Sequence, residues 1–230
     1  MTGQLSLGLR LRDEATFANF LAPDDTIRAR AKAALGGTGE PLVYLWGSKG
    51  SGRSHLLQAA CHRVREEGGG AQYFSLGDMI DYPPDQVLDD MEYQDLVCLA
   101  GVEAVAGRPG WEEALFGFYN RIQDQGNRLV IGADGPPREL PLALPDLKSR
   151  LSAALVFHLA TYDDEDKIAI LRHRAARLGI ELSREVGLFI VNRGSRDLDH
   201  LMAYLERLDL ASLAEKRRVT IPFVKQVFGW

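Results

Sequence analysis

The sequence predicts an α/β fold, a mostly parallel sheet flanked by helices, followed by a small all-helical unit at the C-terminal end. Three observations carry this reading. Short apolar runs, Leu42-Val43-Tyr44-Leu45-Trp46, Leu96-Val97-Cys98-Leu99 and Leu129-Val130-Ile131-Gly132-Ala133, alternate with segments of helical spacing. Runs of this kind suit strands covered by helices on both faces. The first of them passes into a glycine-rich turn, Gly47-Ser48-Lys49-Gly50-Ser51-Gly52-Arg53-Ser54, and then into a helix-like stretch. From Thr161 onward strands stop and helical spacing alone remains, which places a boundary near residue 160.

Each element has its own signal. Gln4-Leu5-Ser6-Leu7-Gly8-Leu9 sets leucines at alternate positions behind a glutamine and is too short to fold alone. It reads either as an edge strand or tail, or as a short linear motif whose leucines enter apolar pockets of a partner. Phe17-Ala18-Asn19-Phe20 and Pro23-Asp24-Asp25-Thr26 lead into a helix over 27–35, capped by Asp25 or Thr26 and ended by Gly36-Gly37-Thr38-Gly39. After the strand at 42–46 and a helix over 55–65, Gly68-Gly69-Gly70 turns the chain into the strand Ala71-Gln72-Tyr73-Phe74-Ser75. Pro83-Pro84 precede a helix over 85–91, and the strand at 96–99 ends in Ala100-Gly101. Trp111, Leu115, Phe118 and Ile122 mark a helix over 111–125 that Gly126-Asn127 closes. The strand at 129–133 is followed by Asp134-Gly135-Pro136-Pro137, and the run Leu155-Val156-Phe157-His158 closes the α/β part. Helices over 163–178 and 183–193 stop at Gly179 and Gly194, one over 197–215 is capped by Ser195, and a last turn covers 222–228.

Composition excludes several classes. With 46% hydrophobic residues over 230 positions the chain buries a real core, so global disorder is ruled out. No apolar run approaches the roughly 18 residues of a membrane span. Met1-Thr2-Gly3-Gln4 lacks the basic start and apolar middle of a secretory signal, so a cytoplasmic protein is expected. Cys61 and Cys98 read as buried small hydrophobes, and His55, His62, His158, His173 and His200 are scattered without ligand spacing, so no metal site is expected from them. A formal net charge of −5 is opposite in sign to a free-standing nucleic-acid binder.

The chemistry concentrates in residues 47–54. The P-loop pattern G-x-x-x-x-G-K-[S/T] is met except that Arg53 stands where the lysine belongs. Gly47, Gly50 and Gly52 let the backbone curl around an anion, and the following helix aims its unpaired N–H groups at the same point. Backbone N–H groups of Gly50, Ser51 and Gly52, the Arg53 fork and the Ser54 hydroxyl would hold phosphates, with His55 next in line. A guanidinium is bulkier than an ammonium and takes space that a γ-phosphate needs, so a nucleoside diphosphate is the expected ligand. The bland alternative is a solvated strand-to-helix turn. Where a metal-positioning carboxylate would stand, at the end of the 96–99 strand, the chain has Ala100-Gly101, and Glu103 is read as lying out of register beyond it.

A P-loop α/β domain with a helical lid resembles AAA+ ATPases, and further stretches narrow the resemblance. Phe17-Ala18-Asn19-Phe20 is similar to the entry of the DnaA ATPase domain. Asp134-Gly135-Pro136-Pro137-Arg138-Glu139-Leu140 and Leu147-Lys148-Ser149-Arg150-Leu151 resemble its sensor 1 and arginine-finger regions. With arginine in the P-loop, the hexapeptide Gln4 to Leu9 in front and no helix-turn-helix after Trp230, the chain resembles the Hda family, DnaA-homologous regulatory inactivators. The tail Lys216-Arg217-Arg218-Val219-Thr220-Ile221-Pro222-Phe223 fits that family as well.

The resemblance implies three parts, a clamp-binding tail over 1–12, an AAA+ base over 13–160 and a helical lid over 161–230. It implies that Gln4, Leu5, Ser6, Leu7 and Leu9 contact the β sliding clamp of DNA polymerase III, and that the protein reaches DNA, and the nucleoid, only through the loaded clamp. It further implies that Arg150 acts in trans on ATP held by DnaA, that Arg196 stands at sensor 2 and Asp134 at sensor 1, and that the surroundings of Asn19 shape the base pocket. ADP is the implied cofactor, with Mg2+ left open because Ala100 replaces the expected acid, and head-to-tail self-association is compatible with this layout. Other readings stand beside these: Arg150 as a helix-end cation or a partner of Asp146, Arg196 paired with Asp199 or Glu206, and Asp134 as a turn residue. Two rival functions remain, a P-loop ATPase or kinase working with Arg53 in place of lysine, and a DNA-binding module.

Overall fold

The computed structural model describes residues 11–22, 26–37 and 39–230, so the expected motif of Gln4, Leu5, Ser6, Leu7 and Leu9 lies outside the described residues. The chain divides into two compact units, Met1–Ala160 and Thr161–Trp230.

The first unit contains α1 (Ile27–Gly36), β1 (Leu42–Trp46), α2 (Arg53–Glu66), β2 (Ala71–Ser75) and the short α3 (Leu76–Met79) and α4 (Pro84–Leu88). It continues through β3 (Leu96–Ala100), α5 (Pro109–Asp124), β4 (Arg128–Ala133), α6 (Pro145–Ser152) and β5 (Leu155–His158). The five strands form one sheet in the order β2-β3-β4-β1-β5. Every pairing is parallel, with Leu42 opposite Leu129 and Val43 opposite Leu155. Such a sheet needs cover on both faces, and alternate residues of each strand supply it. Tyr44, Val97, Leu99, Leu129 and Ile131 join Phe118, Leu115 and Leu147 on one face. Val43, Leu45, Cys98 and Val130 join Leu56, Leu57 and Leu35 on the other. Cys61 and Cys98 are both fully buried on that second face, and burial, with Cys61 beside it, pushes the Cys98 thiol pKa up.

Polar side chains finish the frame. Thr26 caps α1, accepting from the Ala29 N–H, and Arg128 at the start of β4 donates to the carbonyls of Ala34 and Leu35 at the other end of the same helix. The segment before α1 is tied to α2 through Gln58, which accepts from the Arg12 N–H at 2.8 Å, and through His62, 2.9 Å from the Arg12 carbonyl. The expected helix over 85–91 is shorter: α4 ends at Leu88, Asp89 is extended, Asp90 is left-handed, and a separate 3-10 turn covers Met91–Tyr93.

The second unit packs α7 (Asp164–Arg177), α8 (Arg184–Arg193), α9 (Leu198–Glu215) and α10 (Ile221–Phe228) around Leu171, Ile190, Leu201, Leu205, Leu208 and Phe223. Asp163 opens α7 with a reciprocal capping box to Asp166. The cap of α9 is Asp197, accepting from the N–H groups of Asp199 and His200, where Ser195 was expected. Ser195 accepts instead from the Asp197 N–H, one step outside the helix. Among the described residues no helix is long and apolar enough to cross a membrane.

Because Phe118 is completely buried beneath the sheet, Phe118→Ala is expected to cost about 3–5 kcal/mol in urea unfolding. Tyr93→Ser, at a residue 65% exposed, is expected to change stability by no more than about 0.5 kcal/mol.

Candidate functional site

The glycine-rich turn is held from two sides. Gly47 N–H donates to the Ala133 carbonyl at the end of β4 (3.3 Å), and Leu159 N–H donates to the Trp46 carbonyl (2.7 Å). The Trp46 ring stacks on His158 with centroids 3.8 Å apart and planes 12° from parallel. A Cβ on Gly47 would stand 2.2 Å from the Leu159 carbonyl oxygen, so only glycine fits. Gly50 and Gly52 are left-handed (φ 80° and 95°), and Gly52 starts α2 with no side chain capping it. The first amides of α2 therefore lack both intrahelical carbonyls and a side-chain cap. Ser51 is 1% exposed, and its hydroxyl oxygen has no partner among the described residues. A buried orphaned hydroxyl beside an uncapped helix N-terminus fits the phosphates of a nucleotide.

Beside the turn lies a cavity of about 290 Å³ at the carboxyl ends of the strands, lined by Arg53, Ser54, Tyr73, Ala100, Gly101 and Glu103 among others. This is where open parallel sheets place their ligands. The cavity brings Arg53 and Ser54 together as expected and adds Glu103, which the sequence reading had placed out of register. Gly101 is left-handed (φ 77°), and the 3-10 turn Val102–Val105 folds the chain back at once. The Glu103 carboxylate thereby accepts from the Asp134 N–H at 3.2 Å, at the tip of β4. The Ala-Gly pair was the signal for this bend, since a left-handed glycine reverses a strand end that a run of alanines would continue. Among the described residues that line the cavity, a divalent cation would meet one carboxylate, that of Glu103, which is already engaged, beside the hydroxyls of Ser54, Tyr73 and Ser75. Among the described residues no group of three His, Cys, Asp or Glu could hold a metal ion.

Asp134 shares this corner. Tyr44 donates to the Gly135 carbonyl (2.9 Å), and its pKa is raised, first by burial and then by the charges of Glu103 and Asp134, with Arg53 opposing. Of the remaining expected residues, Asn19 donates through Nδ2 to the Glu14 carbonyl while its Oδ1 is buried without a partner among the described residues. The His55 ring bonds the Thr16 carbonyl through Nε2 at 2.8 Å and tilts against Phe20, so it secures the segment before α1. Arg150 is exposed on α6, its guanidinium carbon 5.7 Å from the centroid of the Tyr119 ring on α5. Among the described residues Arg150 makes no ion pair with Asp146. In the second unit Arg196 is 75% exposed and stands 3.9 Å from Asp164, neither Asp199 nor Glu206.

Two consequences can be measured. Gly47→Ala must displace either the loop or Leu159, so nucleotide affinity is expected to fall at least about tenfold in a fluorescent-nucleotide titration, the equivalent of about 1.4 kcal/mol. Tyr44 stays protonated in the folded chain at pH values where the unfolded chain ionises, near pH 10. Its contribution is complete below about pH 10 and lost as pH rises beyond it. The alkaline decline of Tm is therefore expected to be shallower in Tyr44→Phe than in the wild type.

Comparison with known proteins agrees with this geometry. The solved domain III of the replication initiation protein DnaA from Thermotoga maritima has a TM-score of 0.77 and 23% identity, covering 96% of this chain and 98% of that one. AMPPCP-bound DnaA from Aquifex aeolicus has a TM-score of 0.71 and 20% identity over 87% of this chain and 66% of its own. The Thermotoga maritima RuvB Holliday junction branch migration motor, at a TM-score of 0.62 and 16% identity, covers 94% and 71%. At these identities the likeness is one of fold, an AAA+ nucleotide-binding base like DnaA domain III with a helical lid. The family model for the bacterial DnaA ATPase domain matches residues 11–158, and the model for the Hda lid domain matches residues 164–228. With a DnaA-type ATPase base followed by an Hda lid, the chain belongs to the Hda family of DnaA-related AAA+ proteins, which take part in regulating replication initiation.

Proposed function

We propose that this protein is a negative regulator of replication initiation that docks on the DNA-loaded sliding clamp and stimulates hydrolysis of ATP bound to DnaA. Gln4, Leu5, Ser6, Leu7 and Leu9 make the clamp contact, and the work is done in the cytoplasm, at the nucleoid. The observation that carries the reading is Arg150, exposed on α6 and, among the described residues, not ion-paired with Asp146. A guanidinium supplied in trans neutralises charge that develops on the transferred phosphoryl group, an effect on the order of 10³ to 10⁵ in rate for such residues.

The chain's own nucleotide plays a different part. Gly47, Gly50, Ser51 and Gly52 cradle a nucleoside diphosphate, ADP, while Arg53 and Ser54 hold its phosphate end. Arg196 and Asp134 are assigned the sensor roles, and Asn19 borders the base. A ligand that binds only the folded, closed form stabilises that form by mass action, so the diphosphate acts as a conformational clasp. With Ala100 at the strand end no carboxylate there orients a metal or a water, and autonomous turnover is negligible.

In an assay of DnaA-ATP hydrolysis with DNA-loaded clamp, Arg150→Ala is expected to bind clamp normally and to leave hydrolysis at its unstimulated rate; stimulation equal to wild type would refute the role. Calorimetry is expected to give tighter binding of ADP than of ATP. A second reading, a P-loop ATPase or kinase, is favoured by the one cavity that holds Arg53, Ser54 and Glu103. It requires magnesium-dependent turnover by the isolated protein that Glu103→Gln abolishes.

A further inference from the structure

We propose that Tyr119 is a positioning residue for Arg150, and that α5 is the scaffold that aims it; this rests on the reading of Arg150 as the group acting on a partner's ATP. An arginine on an exposed helix face samples many rotamers, and a reacting charge needs its counter-charge in one place. Two attachments restrict it here. The first fixes the helix. Glu112, only 1% exposed in the first turn of α5, accepts from the Gly107 N–H (2.7 Å) and the Ala143 N–H (3.1 Å) through one oxygen, and from the Leu144 N–H (2.7 Å) through the other. Leu144 is the residue that starts α6, so a buried carboxylate joins the entry of α6 to α5. A carboxylate satisfied by backbone donors at this depth is costly to displace, which makes the join rigid.

The second attachment fixes the side chain. Tyr119 lies seven residues after Glu112, two helical turns along the same face of α5. Its ring, partly buried against the main core, stands 5.7 Å from the Arg150 guanidinium carbon, within cation–π range. Leu147 and Leu151, both fully buried, set the roll of α6 so that Arg150 emerges over that ring. A cation–π contact restrains the guanidinium plane while leaving its N–H donors unspent, as a salt bridge would not. The ring face does this without the phenolic hydroxyl.

The test compares Tyr119→Phe and Tyr119→Leu in the full chain, with Arg150→Ala and the double variant Tyr119→Leu/Arg150→Ala, in DnaA-ATP hydrolysis with DNA-loaded clamp. Tyr119→Phe is expected to match wild type. Tyr119→Leu is expected to lower the maximal stimulated rate about three- to fivefold with the half-saturating concentration unchanged, and to add nothing in the Arg150→Ala background. Tyr119→Met, which keeps the apolar volume, is the second variant and is expected to behave as Tyr119→Leu does. Full maximal rate in Tyr119→Leu and Tyr119→Met, an equal loss in Tyr119→Phe, or a loss confined to the half-saturating concentration would overturn the proposal. If Arg150→Ala itself stimulates like wild type, the finger reading falls, whereas an inactive Arg150→Ala beside a fully active Tyr119→Leu defeats the positioning role alone.

Discussion

The close approach of Gly47 to the Leu159 carbonyl is the constraint on which the nucleotide side of the molecule depends. A side chain there would overlap that oxygen at 2.2 Å, so the chain leaving β1 passes between the ends of β4 and β5 only because residue 47 has no Cβ. Parallel pairing makes this possible. All five strands end at the same edge of the sheet, and the position of β1 between β4 and β5 lets Ala133 on one side and Leu159 on the other hold the turn. The loop is then a fixed surface whose backbone is left-handed at Gly50 and Gly52.

Around that fixed loop stand the guanidinium of Arg53 and the carboxylates of Glu103 and Asp134. The strand-end position carries Ala100, and the nearest carboxylate, Glu103, is committed to the Asp134 N–H. Glu103 and Asp134 lie near Tyr44 and Arg53, so the P-loop guanidinium sits among acids that belong to this chain. Such an arrangement suits retention of a ligand better than movement of a proton or water, because the Glu103 carboxylate is already committed to a backbone N–H.

The other end of the base is organised by α5. One face of this helix supplies Trp111, Leu115, Phe118 and Ile122 to the core, and two further positions, Glu112 and Tyr119, meet the segment that carries Arg150. The same helix therefore stabilises the sheet and orients the cation, so core packing and the presentation of Arg150 are coupled through one rigid body.

Much of this was legible in the residues. The apolar runs at 42–46, 96–99 and 129–133 announced buried parallel strands because only helices on both faces make such runs soluble. The spacing of glycines at 47, 50 and 52 announced an anion cradle because few other residues adopt those backbone angles. Local chemistry determined these features within windows of a few residues. The exceptions were also local in origin: Asp197 displaced Ser195 as cap of α9 because its carboxylate reaches two N–H groups, and Asp90 cut short the helix begun at Pro84. What only the tertiary structure decided were relations between residues far apart in the chain, the bend at Gly101 that returns Glu103 to the cavity, the burial of Glu112 against Leu144 and the seat of Arg150 over Tyr119. Those depend on which strand neighbours which and how far one helix lies from the next, and no periodicity within a single segment encodes such distances.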